Sequence, residues 1–196
     1  MSTDRRQRGF TLIELIMFIV IVGVALAGVL TVFNVTTKSS ADPMVRKQAL
    51  AIAEALLEEV MLQPFTWCDP SDATAATATS ATIGASACTA TVQGLGAGGS
   101  ARIANTDNVG DYAGVTLNPV TSADGANAYS GYTGAITLTP ESLGPSGSQI
   151  SSAACASATD CGAMNVLRIS VTVSRSGTDS ITVEGYRTRH SPNMLP

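Results

Sequence analysis

The chain has 196 residues, 13% of them charged and 5% aromatic, with a formal charge of −4. That length suits one domain of about 130 residues plus a long helix, and the acidic balance excludes a general attraction for nucleic acid, so no nucleic-acid partner is expected. No G-x-S-x-G, H-E-x-x-H or phosphate-binding glycine loop is present, so neither enzymatic activity nor a cofactor is expected.

The N-terminus places Arg5, Arg6 and Arg8 just before Gly9, and from Phe10 to Val35 the only charged residue is Glu14. As a helix this run would be about 39 Å long, enough to cross a hydrocarbon core of about 30 Å. The arginines put the N-terminus in the cytoplasm and the rest outside. A carboxylate costs about 2.5 to 3.5 kcal/mol at the bilayer centre and less near the interface, so Glu14 needs a partner and a task. Cleavage between Gly9 and Phe10 would supply the partner: the new α-amino group of Phe10 lies four residues from Glu14, and in a bundle of identical helices it also reaches the carboxylate of the next. The same cut removes three arginines and Asp4 and moves the formal charge from −4 to −6. A rival reading is an ordinary secretory signal removed after Ala25-Leu26-Ala27. Against it, Glu14 would lie inside the apolar region, and the apolar pattern continues unbroken through Leu30 and Val32.

Arg8-Gly9-Phe10-Thr11-Leu12-Ile13-Glu14-Leu15 resembles the class III signal of type IV pilins and pseudopilins. The resemblance implies that a prepilin peptidase cuts after Gly9 and methylates Phe10, with Glu14 serving assembly. Ala41-Asp42-Pro43 and the stretch from Arg46 to Glu59 resemble the minor pilin D branch of mannose-sensitive haemagglutinin pilus systems. The implied fold is α+β and pilin-like: a long N-terminal helix, membrane-spanning in its first half, packed on a C-terminal antiparallel β-sheet head. The implied divisions are a cytoplasmic leader at 1–9, a transmembrane and assembly helix at 10–39, an amphipathic continuation at 40–64 and a β-rich head at 65–196. The implied location is the inner membrane of a Gram-negative bacterium with the head in the periplasm, then the pilus at the cell surface. Implied partners are the prepilin peptidase, major and minor pilin subunits, the inner-membrane assembly platform and the membrane itself. Alternatives within the same architecture are a minor pseudopilin of type II secretion and a pilus-tip adhesin or DNA-binding minor pilin.

Gly23 and Ala27 form a small-x3-small pair that would let neighbouring helices approach, although such residues also simply soften a helix. Ser39-Ser40-Ala41-Asp42-Pro43 predicts an interruption or bend, or a restart with Asp42 as N-cap and Pro43 at the first helical position. Beyond it Val45, Ala49, Ile52, Ala53, Leu56, Leu57 and Val60 recur at helical spacing, while Arg46, Lys47, Glu54, Glu58 and Glu59 face elsewhere. Gln63-Pro64 ends the helix.

Four cysteines, Cys68, Cys88, Cys155 and Cys161, suit an exported chain and allow three pairings. The sequence-local choice, Cys68 with Cys88 and Cys155 with Cys161, is the expectation. Their spacing and the single histidine argue against a zinc site. Between 69 and 104 the Ala/Thr run from Ala73 to Thr82 and the Gly run from Gly94 to Ser100 predict an extended surface loop with little to bury. Asn105, Asp107 and Asp111 carry oxygen donors around Gly110, but Val109 occupies a position that a calcium loop wants polar, so no metal site is assigned there.

The period then becomes two. Gly114-Val115-Thr116-Leu117-Asn118 and Gly134-Ala135-Ile136-Thr137-Leu138-Thr139 predict short strands, and Leu167, Ile169, Val171 and Val173 alternate with polar residues as one face of a half-buried strand. Ser176-Gly177-Thr178-Asp179 predicts a turn and Ile181-Thr182-Val183 the returning strand. Pro140 to Asp160 predicts a further Ser/Gly/Ala-rich loop. His190, beside Arg187 and Arg189, is expected to be solvated.

Overall fold

The structure is a computed structural model that describes residues 9–96, 102, 106–176 and 180–195, with backbone alone for 37–42. The leader before Gly9, the Asp42 cap, Ala97 to Ser100, Asn105 and the turn residues Gly177 to Asp179 lie outside what is described, as regards side chains for Asp42 and altogether for the others. The fold is α+β and pilin-like. One long helix, α1 (Leu12–Leu62), precedes an antiparallel sheet, and the chain divides into two compact units, Met1–Met44 and Val45–Pro196. α1 contributes to both.

In the first unit, α1 is apolar on every face and buries almost nothing. Leu12–Thr36 has a mean hydropathy of 2.9 and is long and apolar enough to cross a membrane. The hydroxyls of Thr31 and Thr36 fold back onto the carbonyls of Ala27 and Val32 at 2.8 and 2.9 Å, so they add no unsatisfied polar group to this surface. The backbone is helical through Ser39 to Pro43, where the sequence predicts an interruption, bend or restart. Proline removes one donor, at a cost of about 3 kcal/mol, and a single lost bond does not end a helix with long apolar and amphipathic runs on either side.

In the second unit, Ala49, Ala53, Leu56 and Val60 form the buried stripe of α1. They pack on strands β4 (Tyr132–Pro140), β5 (Val166–Arg175) and β6 (Ile181–Thr188). A two-residue strand β1 (Thr116–Leu117) completes the sheet in the order β1-β4-β5-β6. The register pairs Ile136 with Val171 and Leu138 with Ile169, and Val171 with Val183. The alternating apolar residues of β5 therefore sit at the centre of the layer facing the helix.

A separate hairpin, β2 (Val120–Thr121) with β3 (Ala128–Tyr129), has no counterpart in the sequence expectations. It comes close to the sheet because Gly134 has no side chain: a Cβ there would lie 3.1 Å from Val120 Cγ2 and 3.4 Å from Leu56 Cδ1.

The segment from 69 to 96 departs most from expectation. Its composition predicts little burial, yet Ala75, Ala78 and Ala81 lie in the core and Gln93 is fully buried. Alanine buries little area but lets the backbone come close, and the backbone here is held by one carboxylate. Asp72 accepts the N–H groups of Thr74, Thr89, Ala90 and Thr91 at 2.8 to 3.1 Å. These donors, Thr91 first, hold its carboxyl well below the usual carboxylate range. Disulfides join Cys68 to Cys88 and Cys155 to Cys161.

Candidate functional site: the N-terminus of the apolar helix

Thr11 immediately precedes the first helical residue, and its hydroxyl accepts the backbone N–H of Glu14 at 3.4 Å. Thr11-Leu12-Ile13-Glu14 thus has the S/T-x-x-E spacing of a helix start, a signal the sequence reading passed over. The N-cap fixes where α1 begins and sets Glu14 in its first turn, the end of a helix that favours negative charge.

Phe10 is 84% exposed and precedes this cap, and Gly9 is exposed beside it. A Cβ at Gly9 would meet nothing within 4 Å, so glycine there is not required by the packing of this chain. Glu14 is exposed, and its carboxylate has no hydrogen-bond or ion-pair partner among the described residues. Gly9, Phe10 and Glu14 therefore lie together within one turn and a half of chain, and apart from the Thr11 cap on the Glu14 N–H no described hydrogen bond or ion pair outside the helix engages them.

The contrast with the second unit is direct. Glu59, grouped in the sequence with residues facing away from the packed stripe, instead accepts Arg102 Nε at 2.8 Å and Tyr112 OH at 2.9 Å, with Arg102 Nη2 on its other oxygen. Arg102 also donates to Thr121 O at 2.8 Å. No spacing in the sequence links residues 59 and 102; only the closed fold does.

The other candidate groups belong to the second unit, where Arg187 Nε and Arg189 Nε and Nη2 are buried without a hydrogen-bond partner among the described residues. Arg187 donates to Gln63 O at 3.1 Å, and Arg189 donates to Cys161 O at 3.2 Å while its guanidinium stacks 4.4 Å from the Phe65 ring. Burial pulls the Arg189 pKa down to about 10. Both arginines turn inward, because positions 181, 183, 185, 187 and 189 alternate onto the less exposed side. His190 is exposed, with Nδ1 3.2 Å from Thr188 O. Asp111 is buried and accepts Gln93 Nε2 at 2.8 Å. Among the described residues no group of three or more His, Cys, Asp or Glu side chains stands together as a metal site.

A family model described as the prokaryotic N-terminal methylation motif matches residues 4–30. No curated protein and no solved structure matches the chain. The match covers the exposed helix start and most of the apolar run, and its family is structural and not enzymatic. The chain carries a type IV pilin-like class III signal, which supports a type IV pilin or pseudopilin precursor and implies processing by a prepilin peptidase and assembly with other pilins.

Proposed function

We propose that this chain is a minor type IV pilin of the mannose-sensitive haemagglutinin type. It inserts in the inner membrane with its N-terminus in the cytoplasm and its second unit in the periplasm. It is cut after Gly9, methylated on Phe10, and then extracted into or initiates a pilus at the cell surface. The observation that carries this reading is Glu14: a lone carboxylate in a 25-residue apolar helix, without a partner among the described residues, one turn from the amine that cleavage would create. In lipid such a charge favours a state in which it is neutralised. A neighbouring subunit's Phe10 amine supplies that neutralisation, and the exposed apolar faces of adjacent helices then cover one another. The stretch from Arg46 to Glu59 is what favours the haemagglutinin-type branch over a secretion pseudopilin. Arg187 and Arg189 donate to Gln63 O and Cys161 O, which does not favour the DNA-binding alternative.

Two charge-removing variants test the pairing. Glu14→Val and Glu14→Gln should both insert normally and both enter pili poorly. Normal incorporation of Glu14→Gln would show that a polar cap, and not a charge, is what assembly needs. Intact mass checks the processing: loss of nine residues with gain of one methyl group is expected, and loss of 27 would overturn the reading.

A further inference from the structure

Asp111 is a buried acid with no ion-pair partner among the described residues. It is 2% exposed; Oδ1 accepts Gln93 Nε2 at 2.8 Å and Oδ2 accepts the Asn108 backbone N–H at 3.0 Å. Both donors are neutral. The turn it belongs to, a 3₁₀ turn at Val109–Tyr112, joins three stretches of chain. Val109 N–H donates to Pro64 O at 3.0 Å, just past the end of α1, and Gly96 N–H donates to Gly110 O at 2.8 Å. Gly110 packs so closely that a Cβ there would overlap the Gly94 carbonyl oxygen.

The groups facing this carboxylate do not neutralise it. Residues 63–66 and 92–96 contribute no charged side chain. Just before the turn stands Asp107, a like charge that also hydrogen-bonds the Asp111 carboxyl, and on the turn stands Tyr112, whose hydroxyl is held by Glu59. Arg102 is consumed by Glu59 and Thr121. Arg187 and Arg189, on β6 and just beyond it, donate to Gln63 O and Cys161 O. None of these cations makes an ion pair with Asp111. Gln93 Oε1 is itself buried without a hydrogen-bond partner among the described residues, so this small polar cluster has little reserve with which to absorb a charge.

We propose that Asp111 is a proton-operated brace: protonated, it holds residues 63–66 and 92–96 onto the 109–112 turn, and ionised, it leaves a desolvated negative charge beside Asp107 from which the joint opens more readily. Burial is the largest influence on the carboxyl and pushes it up to about 6, against the lowering effect of the Gln93 and Asn108 hydrogen bonds. The closed state therefore binds the proton more tightly than an open one, whose carboxyl titrates near 3.9. Stability of the joint rises as pH falls through about 6 and levels off below about 4. Asp72, shifted the opposite way, loses its contribution only in stronger acid, so it does not move between pH 7.5 and 5.

The test is amide hydrogen exchange on the full-length chain in detergent micelles, corrected for intrinsic rates, in the regime where exchange follows the opening equilibrium. Protection of the Gly96 and Val109 amides should be about tenfold greater at pH 5 than at pH 7.5, and Asp111→Asn should be flat over that range. Should that variant not fold, the Asp111 carboxyl is followed by NMR in the unmodified protein, where a midpoint near pH 6 supports the brace. Protection that is flat or falls towards pH 5, or a carboxyl midpoint below pH 5, overturns it.

Discussion

The two ends of α1 share a secondary structure and an apolar character but not a partner. From Leu12 to Thr36 nearly every side chain is exposed, including Phe18, Val24, Leu30 and Phe33 at 64 to 70%. Between Ala49 and Val60, Ala49, Ala53, Leu56 and Val60 form one stripe, and that stripe is covered by the sheet. Helicity alone is thus no measure of self-sufficiency. The second stretch completes its burial within the chain, whereas the first must find lipid or other helices to do so. Each stretch also carries a glutamate that sharpens the contrast: Glu59 is paired inside the fold, and Glu14 has no partner among the described residues.

The largest expected effect comes from breaking that pairing. Arg102→Met leaves Glu59 half-buried with only Tyr112 OH, and removal of one partner of a buried pair costs about 3 to 5 kcal/mol. Thermal unfolding of the full-length protein in detergent, followed by near-ultraviolet circular dichroism, should show a drop in Tm of many degrees. Glu14→Gln in the same assay should leave the unfolding of the second unit unchanged, because no interaction within the chain is lost. An equal drop in both variants would mean that the two glutamates are not different in kind.

Next comes the cover over the buried stretch. Ala75, Ala78 and Ala81 belong to the same core cluster as Ala53 and Val60, in a segment closed by the Cys68–Cys88 bond. Loop closure of that length constrains the unfolded chain by about 3 kcal/mol, and the shorter Cys155–Cys161 ring by about 2. Replacing Cys68 and Cys88 by serine should therefore lower the denaturant midpoint more than replacing Cys155 and Cys161. The reverse order would indicate that the Ala/Thr segment contributes little to the core.

What was legible in the sequence follows the same division of physical causes. Strand β5 declares itself because Leu167, Ile169, Val171 and Val173 alternate strictly, and the apolar span because its composition is continuous over 26 residues. Both are signals carried by large side chains at fixed spacing. Ala75, Ala78 and Ala81 are small residues whose value lies in how near they let two backbones come, and composition treats them as filler. The close approach at Gly134 and the Glu59–Arg102 pair depend on contacts across 14 and 43 residues, which no local period records. At the candidate site the reverse holds. Gly9, Phe10 and Glu14 are adjacent in sequence, so the motif is complete before any folding, and the structure adds only the Thr11 cap that sets Glu14 in the first turn.

A smaller effect probes packing alone. Ala53 is fully buried against the sheet, whereas Ala25 is exposed on the apolar helix. Ala53→Leu forces three extra carbons into a filled core and should cost about 1 to 3 kcal/mol. Ala25→Leu in detergent should cost nothing measurable, since micelle chains adjust to it. The same Ala25→Leu variant should matter only in the proposed fibre, where helices would need close approach, and fibre yield against membrane level of the protein reads that out.

The smallest effect belongs to an ion pair that looks stronger on paper than Glu59–Arg102. Arg168 contacts Glu141 at 2.6 Å and Glu184 at 2.7 Å, two carboxylates for one guanidinium. All three side chains are at least one-third exposed, so water competes for each charge and salt screens what remains. The contacts raise the Arg168 pKa, the Glu141 hydrogen bond first, but Arg168 is charged throughout the accessible pH range and the shift has no consequence there. Arg168→Met should lower the Tm far less than Arg102→Met, and by less still in 0.5 M salt. Arg102→Met should retain its full cost in that salt, since its partner lies inside the fold. A comparable, salt-sensitive loss from both variants would place Glu59 in water, and with it would go the distinction between a glutamate satisfied by its own chain and one that waits for another.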